Sequence, residues 1–281
     1  MSDKSASATA APEQAAAKED PNQAFYDKAI RALRDLFEKA KAKHELHFAM
    51  ALMPEFRGAQ DGGWNTAEEA VYAYDQFAAH IKSLKNDDPV RARIALSFYL
   101  HVAEGSGFYE IPKKLMLTIE GKGNNIIPFH SLVKRHQKKG RAIDPNANAI
   151  FRNLMGHAYD LQLFELSEVF NDAFDSDVRN AVAHADYIIA ADGLRIRRKN
   201  GGFPRKIPWD EFDAIFCRGV NLFSFIRELT DEYVKSYDPP KIIKSRMNAN
   251  EPITDYTIYY DPQTRAFGFK TDGRNRAAIG A

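Results

Sequence analysis

From Phe25 onward the apolar residues of this chain recur at three- and four-residue spacing, and proline or glycine interrupts them at regular intervals. That period is the period of packed α-helices, so it restricts the chain to a mainly helical fold. Phe25, Ile30, Leu33, Phe37, Ala40, Leu46, Met50 and Met53 predict one helix over 24–53, which Pro54 ends. Thr66 and Glu69 form a capping box before a helix to about Leu84. Asp88-Pro89 and Asp144-Pro145 each set a capping carboxylate ahead of a proline in the first turn. The first pair predicts a helix closed by Gly105, and the second a long helix to about Phe174. Between them the pattern gives a helix over 109–120 stopped by Gly121 and Gly123, a break at 124–128, and a short basic helix over 129–139. Asp175 or Ser176 caps the next helix, and a last long one covers 209–237.

Alternation appears only late. Tyr187–Ile189 leads into DGLRIRRKNGGFPRKIP, where Asn200-Gly201-Gly202 separates two strand-like runs. TDYTIYY and RAFGFK flank the turn DPQT and predict a second hairpin. The expected fold is a helical bundle with two small β-hairpins, not alternating βαβ units. The expected organisation is a disordered Ala/Ser-rich tail over 1–22, a helical domain over 23–239 and an extension carrying the second hairpin over 240–281.

The charge balance removes several functions. The formal net charge is +1, so a polyanion must be held by local patches and not by the whole surface. No apolar run has the ~18 residues that cross a bilayer, and the first residues lack a signal-peptide core. The expected setting is the cytoplasm, with no membrane partner. Cys217 is the single cysteine, which excludes an internal disulfide; it lies in an apolar helical run as a buried thiol. His44 and His47 stand three apart on a helix but lack the spacing and the extra ligand of a metal site, so neither metal nor cofactor is expected. Gly105-Ser106-Gly107 and Gly121-Lys122-Gly123 read as helix stops, not as phosphate loops.

One stretch carries chemistry, Asp177–Tyr187 (DVRNAVAHADY). Read as a helix, Val178, Val182, Ala185 and Ile189 share one face, while Arg179, Asn180, Ala183, His184 and Tyr187 share the other. A histidine takes or gives a proton near neutral pH, and an arginine fork grips a phosphate as charge builds. These types suit RNA cleavage by attack of the 2′-hydroxyl, with Asn180 orienting and with Asp177 and Tyr187 as accessory groups. On one helix Arg179 and His184 lie about 140° apart, so two copies of the helix facing each other would serve better than one. Arg195, Arg197, Arg198, Lys199, Arg205 and Lys206 follow on the first hairpin as a basic patch able to draw RNA by charge. A second basic run, Lys134–Arg141, reads as a solvated loop or helix end or as a phosphate-backbone grip.

The string R-N-A-V-A-H-A-D-Y, late in a helical bundle and followed by a hairpin, resembles the HEPN superfamily. The resemblance implies an α-helical bundle, commonly dimeric, and a metal-independent endoribonuclease of toxin–antitoxin or antiviral systems that leaves cyclic-phosphate ends. It places Arg179 and His184 at the catalytic positions and Asn180 at the polar neighbour. It also implies RNA, a second copy of the chain and an antitoxin or regulatory protein as partners. A tyrosine two places after the histidine, found in one toxin subgroup, is Asp186 here. The bare spacing recurs at Arg152–His157, where Gly156 and the apolar Leu154-Met155 pair fall inside it, and there His157 reads as a packed or capping residue. The rival expectation is a catalytically silent bundle that binds RNA, nucleotide or a partner protein.

Overall fold

The computed structural model describes residues 20–53, 66–85, 89–123, 125, 127–197 and 202–271. Most of them are helical, and three small antiparallel sheets lie beyond residue 133. The tail over 1–19, the end of the chain after 271, and residues Arg198 and Lys199 of the expected basic patch lie outside the described residues. The end of the expected tail is anchored: Asn22 is only 3% exposed, and its side chain accepts a hydrogen bond from Arg218.

Helix α1 spans Gln23–Lys43 and α2 Glu45–Ala51. The single helix expected over 24–53 is therefore broken at His44, whose backbone is extended (φ −162°). The His44 ring supplies the reason. Burial, reinforced by the neighbouring His47, lowers its pKa, and the neutral Nδ1 accepts the His47 backbone N–H at 3.1 Å. An imidazole thus does the work usually given to a Ser or Asp side chain at a helix start. His47 stacks on it and reaches the Met247 carbonyl at 2.9 Å.

Helices α3 (Thr66–Ser83), α4 (Pro89–Glu104) and α5 (Ser106–Glu120) follow the expected punctuation, and Gly121 ends α5 in the left-handed conformation. The basic helix expected over 129–139 is absent. A 3-10 turn at His130–Leu132 leads instead into a short hairpin of β1 (Lys134–Arg135) and β2 (Ala142–Ile143). The His136 ring accepts from the backbone N–H groups of Lys138 and Lys139, and Gly140 turns the chain at positive φ.

The long helix expected to Phe174 is two helices, α6 (Ala147–Asp160), capped by Asn146, and α7 (Phe164–Ala173). At the break Gln162 adopts φ +60°, Leu163 N–H returns to the Ala158 carbonyl and Gln162 N–H to Tyr159. This is the two-bond helix stop that normally uses glycine. Helix α8 covers Ser176–Ala183. A sheet of β3 (Tyr187–Ala190), β4 (Gly193–Ile196) and β5 (Arg205–Pro208) then precedes the longest helix, α9 (Trp209–Lys235). The final sheet has three strands where a hairpin was expected, because β6 (Lys241–Ser245) pairs with β7 (Thr254–Tyr260), which pairs with β8 (Phe267–Thr271).

The largest apolar core joins α1, α2, α5, α6, α7 and α9, and it includes Ile258 of β7, so the C-terminal sheet shares the helical core. A second core fixes α8. Leu96 and Tyr99 of α4, Val178 and Ala181 of α8, Leu194, Ile196 and Ile207 of the middle sheet, and Phe212 of α9 pack together. Gly219 lets α9 enter this layer: a Cβ there would stand 2.8 Å from the Tyr99 ring and 3.1 Å from the Ala173 carbonyl. Overpacking at such a contact costs about 1–3 kcal/mol. Gly219→Ala is therefore expected to lower stability by about that amount in urea titration, despite the better helix propensity of alanine.

Candidate functional site

Helix α8 begins at Asp175. Its Oδ1 accepts the backbone N–H groups of Asp177 and Val178, both at 2.9 Å, and its own N–H donates to the Tyr99 hydroxyl at 2.7 Å. The helix ends sooner than its sequence pattern implies. Asp186 N–H bonds to the Ala181 carbonyl and Ala185 N–H to Val182, with Ala185 at φ +54°. His184 is consequently the C-cap and not an interior residue, and Tyr187 and Ile189 belong to β3. The two helical faces, one drawn through Ala185 and Ile189 and the other through Tyr187, are corrected accordingly: Ala185 is exposed, and Tyr187 and Ile189 pack together on the second core from the strand.

Arg179 projects from α8 toward the end of α4. Its guanidinium is ion-paired with Glu104 and donates to Asn180 Oδ1 at 2.9 Å, and its side chain is only 11% exposed. Asn180 Oδ1 also accepts from Asn148 Nδ2 of α6 at 3.1 Å. The other amide oxygen in this group, Asn148 Oδ1, is buried and has no hydrogen-bond partner among the described residues. A buried carbonyl left without a donor carries a desolvation cost of about 1–3 kcal/mol. Three helices thus meet in one polar cluster of Arg179, Asn180, Asn148 and Glu104. His184 stands exposed at the end of the same helix, and no hydrogen bond joins it to Arg179 among the described residues.

Glu104 and Asn148 were not legible as site residues. Glu104 offers only the signal of an acid just before the helix-stopping Gly105, and Asn148 that of an amide in the first turn after Asp144-Pro145.

The basic patch divides by strand register. Alternation along β4 and β5 sends Leu194, Ile196 and Ile207 into the second core and leaves Arg195 opposite Lys206 on the outer face. Arg205 stands on the inner side. It donates to Asp175 at 2.7 Å, to Asp177 at 3.4 Å and to Glu211 at 2.9 Å. Burial opposes its charge, but these carboxylates outweigh it and hold its pKa above the usual value. Arg205 and Asp177 therefore serve the structure at the start of α8. Arg195 pairs with Asp192 at 2.5 Å, while Arg197 and Lys206 are exposed.

The other Arg-x4-His copy has a different environment. Arg152 is exposed, and His157 is bridged between two residues of α5. Lys113 Nζ, which can only donate, gives a hydrogen bond to His157 Nδ1 at 2.8 Å, so the imidazole is neutral with its proton on Nε2, 3.1 Å from Glu120 Oε2. Burial, reinforced by the Lys113 charge, lowers the His157 pKa. Burial also pushes the Lys113 ammonium down to about 8. Among the described residues no three His, Cys, Asp or Glu side chains gather as a metal site, and Cys217 is half-buried with its thiol pKa raised to about 11 by burial.

Comparison of the chain with protein families, with characterised proteins and with solved structures gave no match.

Two outcomes check these assignments. Arg205→Ala is expected to destabilise the fold by about 1–3 kcal/mol, because it leaves the partly buried Asp175 carboxylate without its cation. Lys206→Ala should stay within about 0.5 kcal/mol of the parent in the same urea titration. Lys113 sets a pH dependence. Its folded pKa of about 8 lies below the unfolded value near ~10.4, so the native state releases its proton first and stability rises with pH across that window. Lys113→Met lacks that rise, so its urea midpoint should gain on the parent at pH 7.5 and lose the gain by pH 9.5.

Proposed function

We propose that the protein is a metal-independent endoribonuclease built on a HEPN-like bundle, acting in the cytoplasm as a homodimer and as a toxin or defence effector. The observation that carries this reading is the mostly buried guanidinium of Arg179, held by Glu104 and Asn180 on the helix that ends in the exposed His184. A guanidinium fixed in a low-dielectric setting is prepared to meet a phosphate without reorganising. Imidazole at a helix end, open to solvent, can exchange protons with an incoming strand.

In the reaction the RNA 2′-oxygen bonds to phosphorus as the bond to the 5′-oxygen breaks, leaving a 2′,3′-cyclic phosphate and a 5′-hydroxyl. One proton leaves the 2′-hydroxyl and one is delivered to the departing oxygen. His184 carries out one of these transfers, and Arg179 steadies the phosphate charge, with Asn180 orienting. Among the described residues no hydrogen bond joins these two side chains, and a second copy of the chain would complete the groove. Among the described residues of the basic patch, Arg197 and Lys206 are the exposed cations that can meet the strand backbone.

A second reading has its own support. The Arg179–Glu104 ion pair already occupies the guanidinium, as suits a silent module that binds RNA, nucleotide or a partner protein, such as an antitoxin, through its surface. Incubation with single-stranded RNA in EDTA separates the two. Cleavage is expected, with cyclic-phosphate ends, and both Arg179→Ala and His184→Ala should reduce it by about 100-fold or more. Binding without turnover, unchanged in His184→Ala, selects the silent module, and cleavage that survives both substitutions removes the assignment.

A further inference from the structure

A cavity of about 520 Å³ lies where α1 ends, α2 begins and β6 passes them, and it shares no residue with the α8 cluster. Its volume is that of a small-molecule site. Lys41 lines it, with its ammonium set against three rings, Tyr233 at 5.3 Å, Tyr237 at 5.4 Å and Phe48 at 5.9 Å. All three rings are buried, so the fold holds this charge at a defined place. Rings attract the charge but supply no oxygen for the N–H donors of the ammonium. Among the described residues no carboxylate pairs with Lys41 or with Lys43, which lines the same cavity.

The rest of the lining sets the ligand's chemistry. Both of its carboxylates are engaged: Glu45 meets Lys241 through both oxygens at 2.8 Å and the Tyr237 hydroxyl at 3.2 Å, and Glu38 accepts from the Tyr233 hydroxyl. Lys244 is bound to Asp255 at 3.0 Å. His44 spends Nδ1 on the His47 backbone N–H, so its neutral ring carries the proton on Nε2 and donates from there. Arg246, the residue after Ser245, adds a positive charge that acts on the same ring. Two ammonium groups and an imidazole N–H therefore call for an anion. Lysines meet a phosphate as point charges, whereas the planar fork of arginine suits a carboxylate, and among the described residues no arginine lines the cavity. No Phe, Tyr or Trp among them lines it either, and His44 is already stacked on His47, so the cavity is not built to stack a nucleobase. We propose that this cavity binds a phosphate monoester of sugar size, its phosphate received by Lys41, Lys43 and the Nε2–H of His44. The proposal is independent of the ribonuclease reading and survives or fails without it.

Calorimetric titration of the full chain with glucose 1-phosphate, and with methyl glucoside as the uncharged control, tests it. Saturable binding of the phosphate ester is expected, weaker in about 1 M than in about 0.1 M sodium chloride, and none of the glucoside. Lys41→Met keeps an apolar side chain over the rings and removes the charge. It should weaken binding by about tenfold or more, the loss expected for one hydrogen bond to a charged group, and keep the parent far-ultraviolet circular dichroism. If that variant does not fold, Lys43→Ala, at an exposed position, should weaken binding by a like factor. Adenosine 5′-monophosphate should bind about as well as the sugar phosphate. No saturation with glucose 1-phosphate, equal binding of the glucoside, unchanged binding in the folded variant, or a gain of about tenfold from the adenine base overturns the proposal.

Discussion

The carboxylate of Asp175 is the constraint from which the candidate site follows. One oxygen satisfies two backbone N–H groups at the start of α8, and the other takes Arg205 from β5. Its backbone N–H is received by the buried Tyr99 hydroxyl of α4. A single residue therefore fixes the helix start, the strand beside it and the helix beneath it. Tyr99 in turn sits where it does because Gly219 leaves room for its ring against α9. With only eight residues, α8 has little helical stability of its own. Cap and core hold it, and through it they set the direction in which Arg179 leaves.

Apolar spacing and capping chemistry made the helices and both late hairpins legible, and the misses have separate physical causes. Two helices stop with a left-handed residue that is not glycine, Gln162 after α6 and Ala185 after α8. The backbone bonds of the stop are complete in both cases, but the usual marker is missing, so periodicity carries the reading straight through. At His44 the break depends on an imidazole acting as a cap, which works because burial keeps the ring neutral. The third strand of the last sheet was hidden because β6, KIIKS, is too short to show alternation and is held by its pairing with β7. Long-range partners were hidden for the same reason. Nothing in the local pattern ties Glu104 or Asn148 to α8, and only the packing of α4 and α6 against it brings them there.

Period-two geometry also decides what the basic segment can do. Cations that look alike in sequence separate once the strand faces are assigned: Arg205 turns inward to three carboxylates, Arg195 answers Asp192, and Lys206 and Arg197 face solvent. With a net charge of +1, the chain has little long-range attraction for a polyanion. Any contact with a nucleic acid strand would then rest on short-range geometry, to which the exposed Arg197 and Lys206 of the described segment bring positive charge.

Glu104 bears most directly on what Arg179 can do. Without a counter-ion, the desolvation of a guanidinium this enclosed would be severe. Glu104 meets that need in the folded chain. A phosphate arriving at the same fork would exchange one anion for another, so the guanidinium keeps its neutraliser while the displaced carboxylate, over a third exposed, returns toward water. The same exchange is closed to a neutral ligand, which would leave the charge without compensation. The ion pair that makes Arg179 look occupied is thus also a filter, since only a group bearing negative charge can take the carboxylate's place.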